Sequence, residues 1–209
     1  MMSGTRPMKK KVLALILCGI VFTGVFLSGC SGTTKKNRIA VIDTTMGTIR
    51  VELYEDKAPI TTENFIKLAN DGFYNSLVFH RVIDNFMIQS GGFYANGTYK
   101  TSPYGAIKLE TDSDLIHDDG AIAMARQGED MTDPTFFDTA TSQFYICDEA
   151  QHGLDGYYAV FGNVMDNESM AVVKAIASVQ TMTKTILGGY QMPDWPETDV
   201  IINTISIEE

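Results

Sequence analysis

The sequence predicts a mainly β domain, a barrel or a sandwich, carrying two isolated helices. Three observations lead there. Short runs rich in Val, Ile and Thr recur along the chain, punctuated by Gly, Asn, Asp and Ser. Only two segments show helical periodicity, one early and one late. Strand and helix patterns do not alternate, which disfavours βαβ units. With 209 residues, 44% of them apolar, the chain can bury a core without disulfide staples.

Along the chain, residues 39–43 and 48–54 alternate in hydrophobicity, and the Thr44-Thr45-Met46-Gly47 turn joins them as a hairpin. Residues 59–71 predict a helix: Phe65, Leu68 and Ala69 fall at i, i+3 and i+4, Pro59 opens it and Gly72 follows it. Residues 76–89 predict two short strands around Asp84-Asn85, and the glycine- and tyrosine-rich stretch 91–105 predicts an irregular loop. Residues 121–125, 143–147 and 158–164 are short apolar runs of the kind that form buried strands. Residues 170–179 predict a second amphipathic helix, with Met170, Val173, Ile176 and Ala177 on one side. Residues 200–207 close the chain as an alternating strand.

The chain begins differently. Residues 1–11 are basic through Arg6, Lys9, Lys10 and Lys11, and residues 12–26 are apolar and uncharged. That run of 15 residues is shorter than the roughly 20 needed to span a bilayer. A basic segment, a short apolar run and small residues in this order make a secretory signal. It ends Leu27-Ser28-Gly29-Cys30, which resembles the lipobox of bacterial lipoproteins, where cleavage precedes a cysteine that has received a diacylglyceryl group. The expectation is a signal peptide over 1–29, a lipidated Cys30 with a flexible tether over 30–38, and a folded domain over 39–209. The protein is then held at the cell membrane on its extracytoplasmic face. An uncleaved anchor with an incidental cysteine is disfavoured by the small residues at the cleavage point. Cys18 leaves with the signal and Cys30 is acylated, so Cys147 is expected as a buried free thiol.

Charge narrows the function. The chain has 16 basic and 26 acidic residues, net −10, and loss of the signal's four basic residues takes this to −14. Such a surface does not bind nucleic acid through a basic face. His80, His117 and His152 lack zinc-site spacing and read as structural or exposed. The acidic stretch 127–141, with Glu129, Asp130, Asp133 and Asp138, lacks the spacing and glycine of a calcium loop. Gly91-Gly92 and Gly188-Gly189 are not followed by the Gly-Lys-Ser/Thr of a phosphate loop. No metal and no cofactor are expected.

Three segments carry the chemistry. The first is Phe79-His80-Arg81-Val82-Ile83, continuing to Phe86-Met87-Ile88-Gln89-Ser90-Gly91-Gly92. The second is Ala121-Ile122-Ala123-Met124-Ala125-Arg126. The third is Ser142-Gln143-Phe144-Tyr145-Ile146-Cys147, followed by Leu154-Asp155-Gly156 and Val160-Phe161-Gly162. In this order, over residues 39–207, they resemble the cyclophilin family of peptidyl-prolyl cis/trans isomerases. The resemblance implies a closed eight-stranded antiparallel β-barrel capped by two α-helices, with the substrate groove on its outer surface. It assigns Arg81 to stabilising the twisted amide, and Gln89 to holding a substrate carbonyl and orienting Arg81. It builds an apolar proline pocket from Phe86, Met87, Tyr145 and Leu154 with Tyr158 at the rim. Gln143 and Ala125, with Arg126 beside them, line the path N-terminal to the proline. The implied partners are proline-containing peptides and unfolded exported proteins, met by a monomer.

The chain departs from the family at three of these places. Tyr145 replaces the usual phenylalanine, adding a hydroxyl that needs a partner. Tyr158 replaces the histidine of many eukaryotic members. Gly153 stands where many carry a tryptophan that contacts cyclosporin, so tight binding of that drug is not expected. The stretch 127–141 is longer than the family's loop and borders the groove. Two other function classes compete. A peptide-binding module would keep the groove without turnover, but the intact Arg81, Phe86 and Gln89 favour an enzyme. A solute-binding lipoprotein needs two larger α/β lobes.

Overall fold

The computed structural model describes residues 36–128 and 130–209, together with Met1 and Gly4. The expected signal peptide, Cys30, most of the tether and Glu129 lie outside the described residues. No described helix is long and apolar enough to cross a membrane.

Strands β1 (Ile39–Thr44) and β2 (Gly47–Leu53) form the predicted hairpin. Its turn is closed by the Thr44 hydroxyl, which donates to the Gly47 carbonyl at 2.7 Å. Helix α1 (Pro59–Asn70) starts at its proline and stops at Gly72, whose φ of +66° only glycine adopts without strain. Its inward face carries Phe65, Ile66, Leu68 and Ala69. Strands β3 (Arg81–Ile83) and β4 (Met87–Ser90) follow, then β5 (Ala121–Met124), β6 (Phe144–Cys147) and β7 (Val160–Val164). Helix α2 (Asn167–Ala177) begins three residues before the periodicity suggests. Asp166 caps it there, its carboxylate accepting the Ser169 amide at 2.7 Å. Strands β8 (Thr181–Thr185), β9 (Gln191–Pro196) and β10 (Ile202–Glu208) complete the chain.

Eight strands form one antiparallel sheet in the order β10-β1-β2-β7-β5-β6-β4-β3. Its inner face and the two helices enclose one core, in which Phe65 of α1 meets Tyr74, Phe144 and Phe161 at ring distances of 5.2–5.4 Å. Burial of each such ring stabilises the fold by roughly 1.5–3 kcal/mol. The expected closed barrel is corrected here. The edge strands β3 and β10 do not form a ladder with each other, and the sheet curls as an open half-barrel. Residues 77–79 and 200–202 join across the gap by a few bonds, Ile202 N to Leu77 O at 2.8 Å and Phe79 N to Val200 O at 2.9 Å. The contact is a single bridge, Val78 to Ile201, with its flanking bonds, and not a ladder between the two edges.

A second difference is the β8–β9 hairpin, which the sequence did not announce. Its strands read Thr-Met-Thr-Lys-Thr and Gln-Met-Pro-Asp-Trp-Pro, one almost wholly exposed and the other holding two prolines. Neither is a strand signal. Tertiary packing decides instead: Trp195 is fully buried with Val78 and Phe93, and its indole N–H donates to Asp199 at 2.7 Å.

Candidate active site

Register places the chemistry. Arg81 on β3 pairs with Gln89 on β4, Gln89 with Tyr145 on β6, and Tyr145 with Ala123 on β5. Directly paired residues project from the same face of a sheet. The intervening residues Val82, Ile88, Ile146 and Ile122 belong to the inner core, so this row faces outward. Met87, two residues from Gln89, joins the same outer face beside Cys147 and Ala121. Phe86 comes from the β3–β4 turn, Leu154 from a 3-10 turn over His152–Leu154, and Tyr158 from the approach to β7. Ala125 and Arg126 follow directly on β5.

These nine residues (Arg81, Phe86, Met87, Gln89, Ala125, Arg126, Tyr145, Leu154 and Tyr158) line one cleft of about 180 Å³, with Gly128. Gln143 does not reach it. It lines an adjoining cleft of about 160 Å³ that shares Gln89, Ala125 and Arg126. The Gly91-Gly92 pair explains how the two strands come so close. A Cβ on Gly91 would lie 2.4 Å from the Ser142 carbonyl, and Gly91 has φ of +90°.

The polar groups sort themselves by partner. The Gln89 amide N–H donates to Gln143 Oε1 at 2.9 Å, which links the two clefts. Among the described residues Gln89 bonds Gln143 and not the Arg81 guanidinium. The group that faces the guanidinium is Asp194 of β9, with Nε 3.8 Å from Oδ2, while the guanidinium lies 5.8 Å from the Phe86 ring centre. Both ends of the pair are more than a third exposed, 39% and 37%, so it contributes about 0–1 kcal/mol.

Arg126 is built into the wall. Its Nε donates to the Tyr157 carbonyl at 3.0 Å and its Nη2 to the Met131 carbonyl. The guanidinium lies 4.7 Å from the Tyr158 ring and 5.1 Å from Phe137. It thereby ties the stretch 127–141 to the rim of the cleft. Two acids of that stretch cap turns, Asp133 accepting the Thr135 amide at 2.9 Å and Asp130 the Thr132 amide at 2.8 Å, while Asp138 accepts the distant Leu109 amide at 2.9 Å. Bonds from Thr132 hold the Asp130 carboxyl below the usual range.

The Tyr145 hydroxyl leaves the cleft through its floor and meets His117 Nε2 at 2.9 Å, whose Nδ1 lies 2.7 Å from Asp155 Oδ1. His80 is also buried, its ring 4.8 Å from that of Phe93, and burial pulls its pKa down to about 4. His152 is exposed. The Cys147 thiol is free and buried, and desolvation pushes its pKa up to about 12, which makes it inert. Sequence reasoning missed Gly128, Asp194, and the supports His117 and Asp155. The last two have a signal in hindsight: a tyrosine in an apolar pocket demands a partner. Asp194 has none, because it arrives on the unannounced hairpin.

Comparison with known proteins identifies the family. The family model for cyclophilin type peptidyl-prolyl cis-trans isomerase/CLD matches residues 39–207. Peptidyl-prolyl cis-trans isomerase A of Dickeya dadantii is 36% identical over 206 residues, covering 96% of this chain and 98% of that protein. A peptidyl-prolyl cis-trans isomerase of Acinetobacter baylyi is 38% identical over 178 residues, covering 83% and 85%. The crystal structure of a Cryptosporidium parvum cyclophilin superposes with a TM-score of 0.70 at 26% identity, over 83% of this chain and 98% of that one. A second structure of that protein, in the presence of the dipeptide Ala-Pro, gives 0.68 at 25% identity over 82% and 99%. With the family model matching residues 39–207, the chain belongs to the cyclophilin-type peptidyl-prolyl cis-trans isomerases.

Proposed function

We propose that this isomerase turns X–Pro bonds by stabilising the twisted amide with Arg81. Its substrates are proline-containing segments of unfolded exported proteins, met at the extracytoplasmic face of the cell membrane, where a lipid on Cys30 holds the enzyme. The observation that carries the mechanism is the row of guanidinium, amide and aromatic ring across β3, β4 and β6, bordering a cleft of about 180 Å³.

Rotation about an X–Pro bond is opposed by C–N resonance worth roughly 18–20 kcal/mol. No bond needs to break. In the twisted state the prolyl nitrogen becomes pyramidal and gains a lone pair. A fixed cation with N–H donors binds that state better than the planar one. Arg81 suits the task because its fork is planar and always charged, which lysine's ammonium does not reproduce. The proline ring is held by Phe86, Met87, Tyr145 and Leu154, with Tyr158 at the rim. Gln89 holds a substrate carbonyl, and Gln143, Ala125 and Arg126 line the path of the preceding residues. The Ala-Pro dipeptide used with the Cryptosporidium neighbour supports this ligand class.

The setting rests on the N-terminal sequence and on rates. Uncatalysed isomerisation takes tens to hundreds of seconds, slow enough to limit folding of exported chains. The basic segment, apolar run and Leu27-Ser28-Gly29-Cys30 support a lipid anchor. Several acyl chains would make it stable where one alone would not. The test of mechanism is Arg81→Ala in the soluble domain. Loss of a charged hydrogen bond worth roughly 1.5–3 kcal/mol lowers kcat/KM about ten- to a hundredfold. Peptide affinity by NMR titration and the circular dichroism spectrum should hold. Wild-type turnover in a folded Arg81→Ala protein would overturn the mechanism.

A further inference from the structure

The Asp155–His117–Tyr145 chain joins three separate elements. His117 lies in the loop before β5, Tyr145 in the floor of the cleft on β6, and Asp155 directly after Leu154, a wall of the same cleft. Asp155 Oδ1 accepts the His117 backbone amide at 2.7 Å as well as Nδ1 at 2.7 Å, and the His117 carbonyl accepts the Gln151 amide at 2.7 Å. The His117 side chain is wholly buried, and its ring lies nearly parallel to that of Tyr145, at 11°. We propose that His117 is a positioning residue for the isomerase: it locks the Tyr145 floor to the Leu154 wall, and its protonation loosens the cleft and weakens peptide binding.

In the neutral imidazole the roles follow from the partners: a carboxylate only accepts, so Nδ1 carries hydrogen toward Asp155 and Nε2 offers a lone pair to the Tyr145 hydroxyl. Among the described residues the hydroxyl has no other hydrogen-bond partner. Protonated His117 would donate from Nε2 instead. The tyrosine hydrogen would then have to turn away, into apolar surroundings that include Met87 and Cys147, where an unmade bond is costly.

The groups around His117 set the balance. Burial pulls its pKa below the ordinary imidazole value, against the pull of Asp155. Desolvation alone would raise the Asp155 carboxyl, but its bonds to His117 hold it below the usual range. His152 opposes a second charge, with Nδ1 3.2 Å from Asp155 Oδ2 and Nε2 3.6 Å from Asp118. Burial pushes the Tyr145 hydroxyl well above its ordinary pKa, and Cys147 stays a neutral thiol. Tyr158 presents its ring edge 6.5 Å away, with the Arg126 guanidinium over its face.

The inference rests on the proline-cleft reading of Tyr145, and the experiment separates the two. Proline-peptide affinity and kcat are measured from pH 7.5 to 4.5 by NMR, with circular dichroism to verify folding, for wild type, Tyr145→Phe and His152→Gln. Wild type and His152→Gln should lose affinity roughly three- to tenfold on acidification, the worth of one neutral hydrogen bond, with kcat much less affected. Tyr145→Phe, whatever its affinity at pH 7.5, should show no acid loss across the range. Binding and protonation are linked reciprocally, so saturating peptide should lower the His117 pKa read from its imidazole resonances. A flat wild-type profile, or the same acid loss in Tyr145→Phe, would overturn the proposal. A wild type that fails to bind proline peptide at pH 7.5 would sink the cleft reading itself, and this proposal with it.

Discussion

Arg81 shows how much of the site a few residue types determine. It stands between an apolar ring, Phe86, and a carboxylate, Asp194, and looks across at an amide. The family resemblance names the first and the third from the block of residues 79–92, and Tyr145 from residues 142–147; the strand register then sets Arg81, Gln89 and Tyr145 in one row. The Asp194 partner was not legible, since nothing local ties it to Arg81. Neither was the engagement of Gln89 with Gln143, because an amide has several neighbours within reach and only packing chooses. Phe86 tests the pocket as Arg81 tests the chemistry. It is a partly exposed wall, so Phe86→Ala removes contact with the proline ring without hollowing the core. Peptide affinity should fall roughly tenfold, consistent with losing part of the 1.5–3 kcal/mol of a buried aromatic. An unchanged dissociation constant in the NMR titration would place the proline elsewhere.

Elements divide by what decides them. Strands β1, β2, β4 to β7, helix α1 and β10 follow local pattern, so periodicity, Pro59 and Gly72 announce them within a residue or two, whereas β3 starts five residues after the expected run at 76. The β8–β9 hairpin is decided by one long-range anchor. Trp195 packs beneath residues that precede β3, and Lys184 lies 4.4 Å from its ring. Trp195→Ala should cost about 3–5 kcal/mol through the cavity it leaves, seen as a lower urea midpoint; a change under 1 kcal/mol would mean the hairpin is merely draped over the sheet. Its functional contribution should be small by comparison. Asp194→Asn removes an exposed pair worth about 0–1 kcal/mol, so kcat/KM should shift by no more than about fivefold. A larger loss would show the carboxylate acting on the substrate directly.

At the scale of the molecule, the sheet curls so that one face encloses the core and the other carries the cleft, while the seam between β3 and β10 is crossed by only a few bonds. The sequence could not distinguish this from a closed barrel, because alternation reports which face a residue takes and says nothing of which edges meet. His80 sits near that seam, buried beside Phe93 and Trp195 and one residue before Arg81. Its acid–base behaviour therefore belongs to the fold as a whole. Desolvation holds its pKa at about 4 in the folded protein, against about 6.5 for an exposed imidazole. Between those values the unfolded chain binds more protons than the folded one. Stability is then fully present above about pH 6.5 and declines as pH falls toward 4, by about 3 kcal/mol in all. Burial of His117 acts in the same direction. Carboxylates such as Asp155, whose folded pKa is also depressed, add their loss mainly below this window. Urea unfolding at pH 7.5, 5.5 and 4.5 reads the slope. His80→Phe keeps an aromatic ring against Phe93 and Trp195 without a titrating group, so its stability should fall distinctly less over that range. Identical slopes in wild type and His80→Phe would show that the imidazole is not held neutral by burial.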